Sequence, residues 1–119
     1  MSSDATGSCV MHVNISAVHL APVEPYGKIA TLFKSADNLR AAGVWTVDSG
    51  QRFSYELPYD LFIYVVEGEL HVALQDGRRI MLTKGDTAYF TEGQATEWTA
   101  HADSRAVFCC ISETEKIDF

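Results

Sequence analysis

The sequence predicts an all-β fold, a small antiparallel barrel or two-sheet sandwich with a pocket at its centre. Three observations predict it. From Gly43 to Ile111 the chain is a succession of short apolar or alternating segments rich in Val, Ile, Leu, Thr and aromatic residues, the composition of strands. Reversal signals stand between them: Asp48-Ser49-Gly50, Glu67-Gly68, Asp76-Gly77, Lys84-Gly85-Asp86 and Thr91-Glu92-Gly93, each with the residues that tight turns require. Finally, 119 residues that are 47% hydrophobic and 21% charged suit a single globular core, with no Gly/Ser-rich linker to divide it.

The elements follow in order. Residues 1–12 are rich in Ser, Asp, Thr and Gly and are expected to be flexible, ahead of one domain over 13–119. Val13 to Leu20 alternates loosely and reads as a first strand, free to pair with another subunit. Pro22, Pro25 and Gly27 impose a loop. Ile29 to Ala42 is ambiguous: Ala30, Leu32 and Phe33 suit a strand or a turn of helix, and Ser35 to Leu39 suits a loop. Val44 to Val47 is a strand. Arg52 to Leu57 alternates at period two, which puts Phe53, Tyr55 and Leu57 on one face, and Pro58 ends it. Leu61 to Val66 is apolar on both faces, so both need cover. Leu70, Val72 and Leu74 face one way and Glu69, His71, Ala73 and Gln75 the other. Asp76-Gly77 is the strongest hairpin signal. Ile80 with Leu82, Thr87 to Phe90, Thr96 to Ala100 and Ala106 to Ile111 complete about eight strands.

Charge and cysteine content exclude several roles. The net charge is −7 and no basic run exceeds Arg78-Arg79, which disfavours nucleic acid and acidic membrane surfaces. Apolar runs are strand-sized, well short of the ~20 residues that cross a bilayer, and no signal-peptide pattern opens the sequence. Three cysteines, an odd number, do not make a secreted disulfide framework. Cys109 and Cys110 are neighbours that a strand sends to opposite faces, which suits reduced thiols and a cytoplasmic location.

The ordered set Gly43-Val44-Trp45, Tyr64-Val65-Val66-Glu67-Gly68, Asp76-Gly77, Lys84-Gly85-Asp86-Thr87-Ala88-Tyr89-Phe90 and Gly93 followed by Trp98 resembles the cupin superfamily over residues 43–111. Within it, the resemblance is to the subgroup of ureidoglycine aminohydrolase-like and ethanolamine-utilisation cupins. It implies an RmlC-like jelly roll of two antiparallel sheets. In metal-binding cupins the first motif supplies two His and a Glu, and the second a further His. Here the Glu position falls on Leu61, the first-motif His positions on Ser54/Glu56 or Tyr55/Leu57, and the second-motif His on Thr96. No metal and no cofactor is therefore expected, since such ions need about three protein ligands.

Candidate site residues follow from strand alternation. Trp98 lies on the face that carries Thr96 and is expected to point into the barrel, with Tyr55 beside it and Trp45 at the edge. These four form the expected ligand-binding set, each ring having a core role as its alternative. Glu56 and Tyr55 are the weak catalytic candidates. Were Glu56 to face inward, a buried carboxylate could act as a general base; with Tyr55 inward, Glu56 is a surface charge. The four histidines, His12, His19, His71 and His101, show no ligand spacing and read as surface or loop residues. The leading expectation is a metal-independent barrel binding a small organic molecule. The alternatives are a small-metabolite enzyme of hydrolase or isomerase type and a structural module with a filled barrel. The two apolar faces of Leu61 to Val66 point to a homodimer, through sheet packing or exchange of the N-terminal strand.

Overall fold

The computed structural model describes residues 10–119. Ten strands follow a single 3-10 turn at Ile15–Ala17: β1 Ala21–Pro22, β2 Lys28–Lys34, β3 Arg40–Val47, β4 Arg52–Glu56, β5 Asp60–Glu67, β6 Glu69–Leu74, β7 Arg79–Thr83, β8 Thr87–Phe90, β9 Ala95–Ala100 and β10 Ser104–Ile111. They form two wholly antiparallel sheets, one of six strands in the order β1-β2-β3-β10-β5-β8 and one of four in the order β4-β9-β6-β7. This is the two-sheet antiparallel fold that the turn rhythm predicts.

Alternation decides what each sheet contributes to the interior. Ile63 and Val65 of β5, Leu70 and Val72 of β6, Trp98 and Ala100 of β9, and Ala106, Phe108 and Cys110 of β10 are buried in one cluster between the sheets. Val-, Ile- and Phe-rich segments fit this pleated, covered surface, which is why they are strands. Burying a Leu, Ile or Val side chain of this kind stabilises by about 1.5–3 kcal/mol.

Three stretches depart from the sequence reading. Val13 to Leu20 is not a strand: Asn14 accepts hydrogen bonds from the Ser16 N–H (2.9 Å) and Ser16 Oγ (2.6 Å), and these local bonds compete with a sheet ladder and close a 3-10 turn. The Ile15 carbonyl accepts from Arg105 of β10 at 2.7 Å, so this segment lies on its own barrel. Ala21–Pro22 adds a two-residue strand to the expected loop, paired with Lys28 and Ile29. The ambiguous Ile29 to Ala42 resolves into β2 and β3 around a turn that Asp37 holds by accepting from the Leu39 N–H (3.0 Å) and Ser35 Oγ (2.6 Å). Of the expected flexible start, residues 1–9 lie outside the described residues, and Val10 to His12 have no regular structure.

The β5–β6 reversal leaves no room for a side chain. Gly68 has φ +103°, and a Cβ there would meet Ser104 Oγ at 2.2 Å and its Cα at 2.5 Å. Ser104 in turn accepts from the Glu69 N–H at 3.1 Å and donates to the Ala102 carbonyl at 2.8 Å. Gly77 has φ +93° but open space around it. Gly77→Ala should therefore cost only the backbone strain, about 1–2 kcal/mol, whereas Gly68→Ala adds a clash with backbone and should cost about 3 kcal/mol or more. Urea unfolding of both variants measures the difference; equal losses would contradict this packing.

Candidate functional site

The two sheets do not close on each other along their whole length. Between them lies a cavity of about 360 Å3. β4 turns Phe53 and Tyr55 into it, β9 turns in Trp98, and β3 turns in Trp45. Leu61 and Ile63 of β5 and Phe108 and Cys110 of β10 form the opposite wall. The hairpin between β1 and β2 contributes Tyr26, the β4–β5 connection Tyr59, and the segment after β10 Phe119.

The rings brace one another. Phe53 and Trp98 stack with planes 13° apart and centroids at 6.1 Å, and Trp45 meets both edge-on at 5.9 and 5.6 Å. Tyr26 packs on Phe53 (5.2 Å) and Tyr55 (4.9 Å), while Phe119 packs on Tyr59 and Phe108. Pairs of this kind add about 0.5–1.5 kcal/mol each beyond area burial.

Polar atoms in the wall are mostly used within it. Trp98 Nε1 donates to Thr96 Oγ1 at 2.8 Å, and Thr96 Oγ1 donates to the Tyr55 carbonyl at 2.7 Å. Trp45 Nε1 donates to the Tyr26 carbonyl, tying the hairpin to β3. Both indoles thus present ring surface rather than N–H groups. The Tyr55 and Tyr59 hydroxyls lie 2.9 Å apart; one bond between two hydroxyls leaves one O–H proton, and the Cys110 sulfur lies within hydrogen-bonding reach of Tyr59. Burial pushes both phenols above their ordinary range, so both stay neutral. Burial also pushes the Cys110 thiol up, to about 12, so it is not a nucleophile near neutrality.

Of the residues singled out from sequence, Tyr55, Trp98 and Trp45 line the cavity together. Thr96 is buried behind the wall and anchors Trp98. Glu56 is exposed on the far side of β4, which resolves the Tyr55/Glu56 alternative in favour of an inward Tyr55. It also decides the register of the two first-motif His positions: the inward residues there are Tyr55 and Leu57. With Leu61 and Thr96 at the other two, the residues at these four positions do not fit a metal ion. The Cys110 thiol and the tyrosine hydroxyls face the cavity, and the Glu24 and Asp118 carboxylates stand at its edge. Sequence reasoning missed Tyr26, Tyr59 and Phe119 as wall. Phe53 was legible as the i−2 partner of Tyr55.

His71 and His101 lie at the surface, as expected, and with Glu69 they form a group of metal-capable donors on the outer face of the four-stranded sheet. The period-two pattern correctly sends His71 away from Leu70 and Val72, but His101 arrives from a loop 30 positions later in the chain, which spacing rules do not see. Cys109 and Cys110 are both free thiols, one half-buried and one buried.

Residues 34–107 match the family model described as the EutQ-like cupin domain. The chain belongs to this family. A protein described as ethanolamine utilization protein Q from Salmonella typhimurium superposes with a TM-score of 0.76 at 23% identity, covering 92% of this chain and 90% of that one. An RmlC-like cupin from Shewanella frigidimarina gives 0.71 at 20% identity, covering 91% and 95%. The polyketide cyclase RemF from Streptomyces resistomycificus gives 0.73 at 16% identity, covering 88% and 81%. At these identities the likeness is one of fold. No curated protein matches the chain in sequence.

The Cys110 thiol of this cupin sets a pH dependence. Unfolded, it releases its proton near its ordinary value of 9, while folded it keeps the proton up to about 12. The native state then binds more protons than the unfolded chain, so stability falls as pH rises through that window, by at most about 1.4 kcal/mol per pH unit. The two phenols add to the fall only above pH 10, their ordinary value. Cys110→Ala should flatten the curve of unfolding free energy against pH between 9 and 10. Parallel curves for the two proteins would show that the thiol is not buried.

Proposed function

We propose that this cupin binds one small organic molecule in its barrel, largely apolar and with a flat ring or ring-like face, without a metal ion. The aromatic cavity carries this reading. Its volume, about 360 Å3, lies at the small end of the roughly 300–1,000 Å3 typical of ligand pockets. Ring faces supply contact area, and the paired Tyr55 and Tyr59 hydroxyls are polar atoms on the wall. Glu24 and Asp118, both exposed, stand at the cavity edge and disfavour an anionic ligand.

An enzymatic role, hydrolase or isomerase, would need an acid/base pair facing the cavity. Glu56 points away, which leaves a protonated Tyr55 without the base partner that the pair requires. A purely structural module would need a filled barrel, which the open cavity does not favour.

Indole N–H signals of Trp45 and Trp98, followed by NMR against a panel of small neutral ring compounds, test the proposal. At least one compound should shift both signals. Leu61→Trp, which fills the cavity, should weaken that binding at least about tenfold, and chelator treatment should leave it unchanged. Loss of binding on chelation, or equal binding by the filled variant, would overturn the reading.

The outer face of the six-stranded sheet supports a homodimer. Phe62, Tyr64, Tyr89 and Ile111 are between 41% and 57% exposed. Phe62 lies between its register partners Cys109 and Tyr89, and Tyr64 is two positions along the same face of β5. A contiguous apolar patch of this kind is uncommon on a monomer. Sedimentation should give a dimer at micromolar concentration, and Phe62→Lys with Tyr64→Lys a monomer with the cavity intact. A wild-type monomer would exclude this interface.

A further inference from the structure

We propose that Glu69, His71 and His101 form a second site, on the outer face of the four-stranded sheet, that takes a divalent transition-metal ion of the zinc class. It is independent of the cavity. Leu70 and Val72 face the interior from the same strand, so Glu69 and His71 face outward, both half-exposed.

The donors are already gathered. His71 Nε2 lies 2.7 Å from Glu69 Oε2, and the His71 and His101 rings stack with centroids 3.8 Å apart. One donor atom from each of the three residues lies within 4.8 Å of the others. A tetrahedral ion held at ~2.0–2.1 Å needs donors about 3.3 Å apart, so the set has to close by at most about 1.5 Å from the present 4.8 Å limit. Two imidazoles and one carboxylate suit zinc, nickel or copper; magnesium and calcium require oxygen donors throughout. Three protein ligands leave one coordination position open to solvent.

The backbone beneath the donors is fixed, which separates this group from a chance meeting of surface side chains. The His101 N–H donates to the Glu69 carbonyl at 2.9 Å, so the loop residue is tied to the strand that carries the other two. The Glu69 N–H donates to the buried Ser104 Oγ at 3.1 Å, beside the Gly68 turn that tolerates no Cβ. The cross-strand partners of Glu69 and His71 are Thr83, Met81 and Thr99. None is a cation, so neither strand neighbour competes with an ion for the carboxylate. Bringing ligands together in advance removes much of the ordering cost of binding.

Calorimetric titration of the tag-free full chain with zinc chloride tests the site. One ion per chain should bind. His71→Ala and His101→Ala should each weaken binding at least about tenfold. His19→Ala, Cys109→Ser and the cavity-filling Leu61→Trp should leave it unchanged, which separates this site from the barrel. Should either histidine variant fail to fold, imidazole NMR signals of the wild-type protein decide: zinc must shift those of His71 and His101. No binding by the wild type, binding retained by both variants, or shifts confined to His12 and His19 would overturn the proposal.

Discussion

The chain of hydrogen bonds from the Trp98 indole to Thr96 and on to the Tyr55 carbonyl sets the character of the barrel. It satisfies a buried N–H and a buried hydroxyl that would otherwise each cost about 1–3 kcal/mol. It also joins β9 to β4 from the inside, at the register Tyr55–Thr96 that the ladder already fixes. With its polar atom taken, Trp98 can stand inside the barrel as an apolar plate against Phe53 and Trp45. The position that a metal-binding relative would fill with imidazole here holds a hydroxyl that serves the wall. The interior is therefore walled by ring surface, with the rings braced against each other between the two sheets.

Most of the fold from Gly43 onward was legible because its strands are either strictly alternating, as in Arg52–Glu56, or continuously apolar, as in Leu61–Val66, and glycine turns separate them. The N-terminal third was less legible for physical reasons. Val13–Leu20 has the apolar content of a strand, but Asn14 and Ser16 bond each other and close a local turn. Ile29–Ala42 carries no clean period because β2 bulges against β3 between Thr31 and Phe33, which shifts its alternation midway.

The site divided along the same line. Tyr55 and Trp98 were readable because strand alternation alone fixes which face they take. Trp45 was placed at the edge, with a core role as its alternative. Thr96 was placed on the right face, but whether a hydroxyl meets a ligand or a neighbouring indole depends on distances that spacing does not carry. Tyr26, Tyr59 and Phe119 sit in a hairpin, a connection and a trailing segment. They reach the cavity only because the barrel brings those pieces to one end, a property of topology rather than of local pattern. The same holds for His101 beside His71.

The barrel interior and the outer face of the four-stranded sheet obey one rule with opposite outcomes. Inside, desolvation raises Tyr55, Tyr59 and Cys110 so that none carries charge near neutrality, and the Glu24 and Asp118 carboxylates stand only at the edge. Outside, a carboxylate and two imidazoles stay hydrated on a backbone fixed by Gly68, Ser104 and the His101–Glu69 bond. A charged ligand needs donors that can remain charged or lone-pair-bearing; an apolar ligand needs a wall whose polar atoms are already paired. Period-two alternation along β6 sends Glu69 and His71 outward from Leu70 and Val72, and the loop after β9 brings His101 beside them.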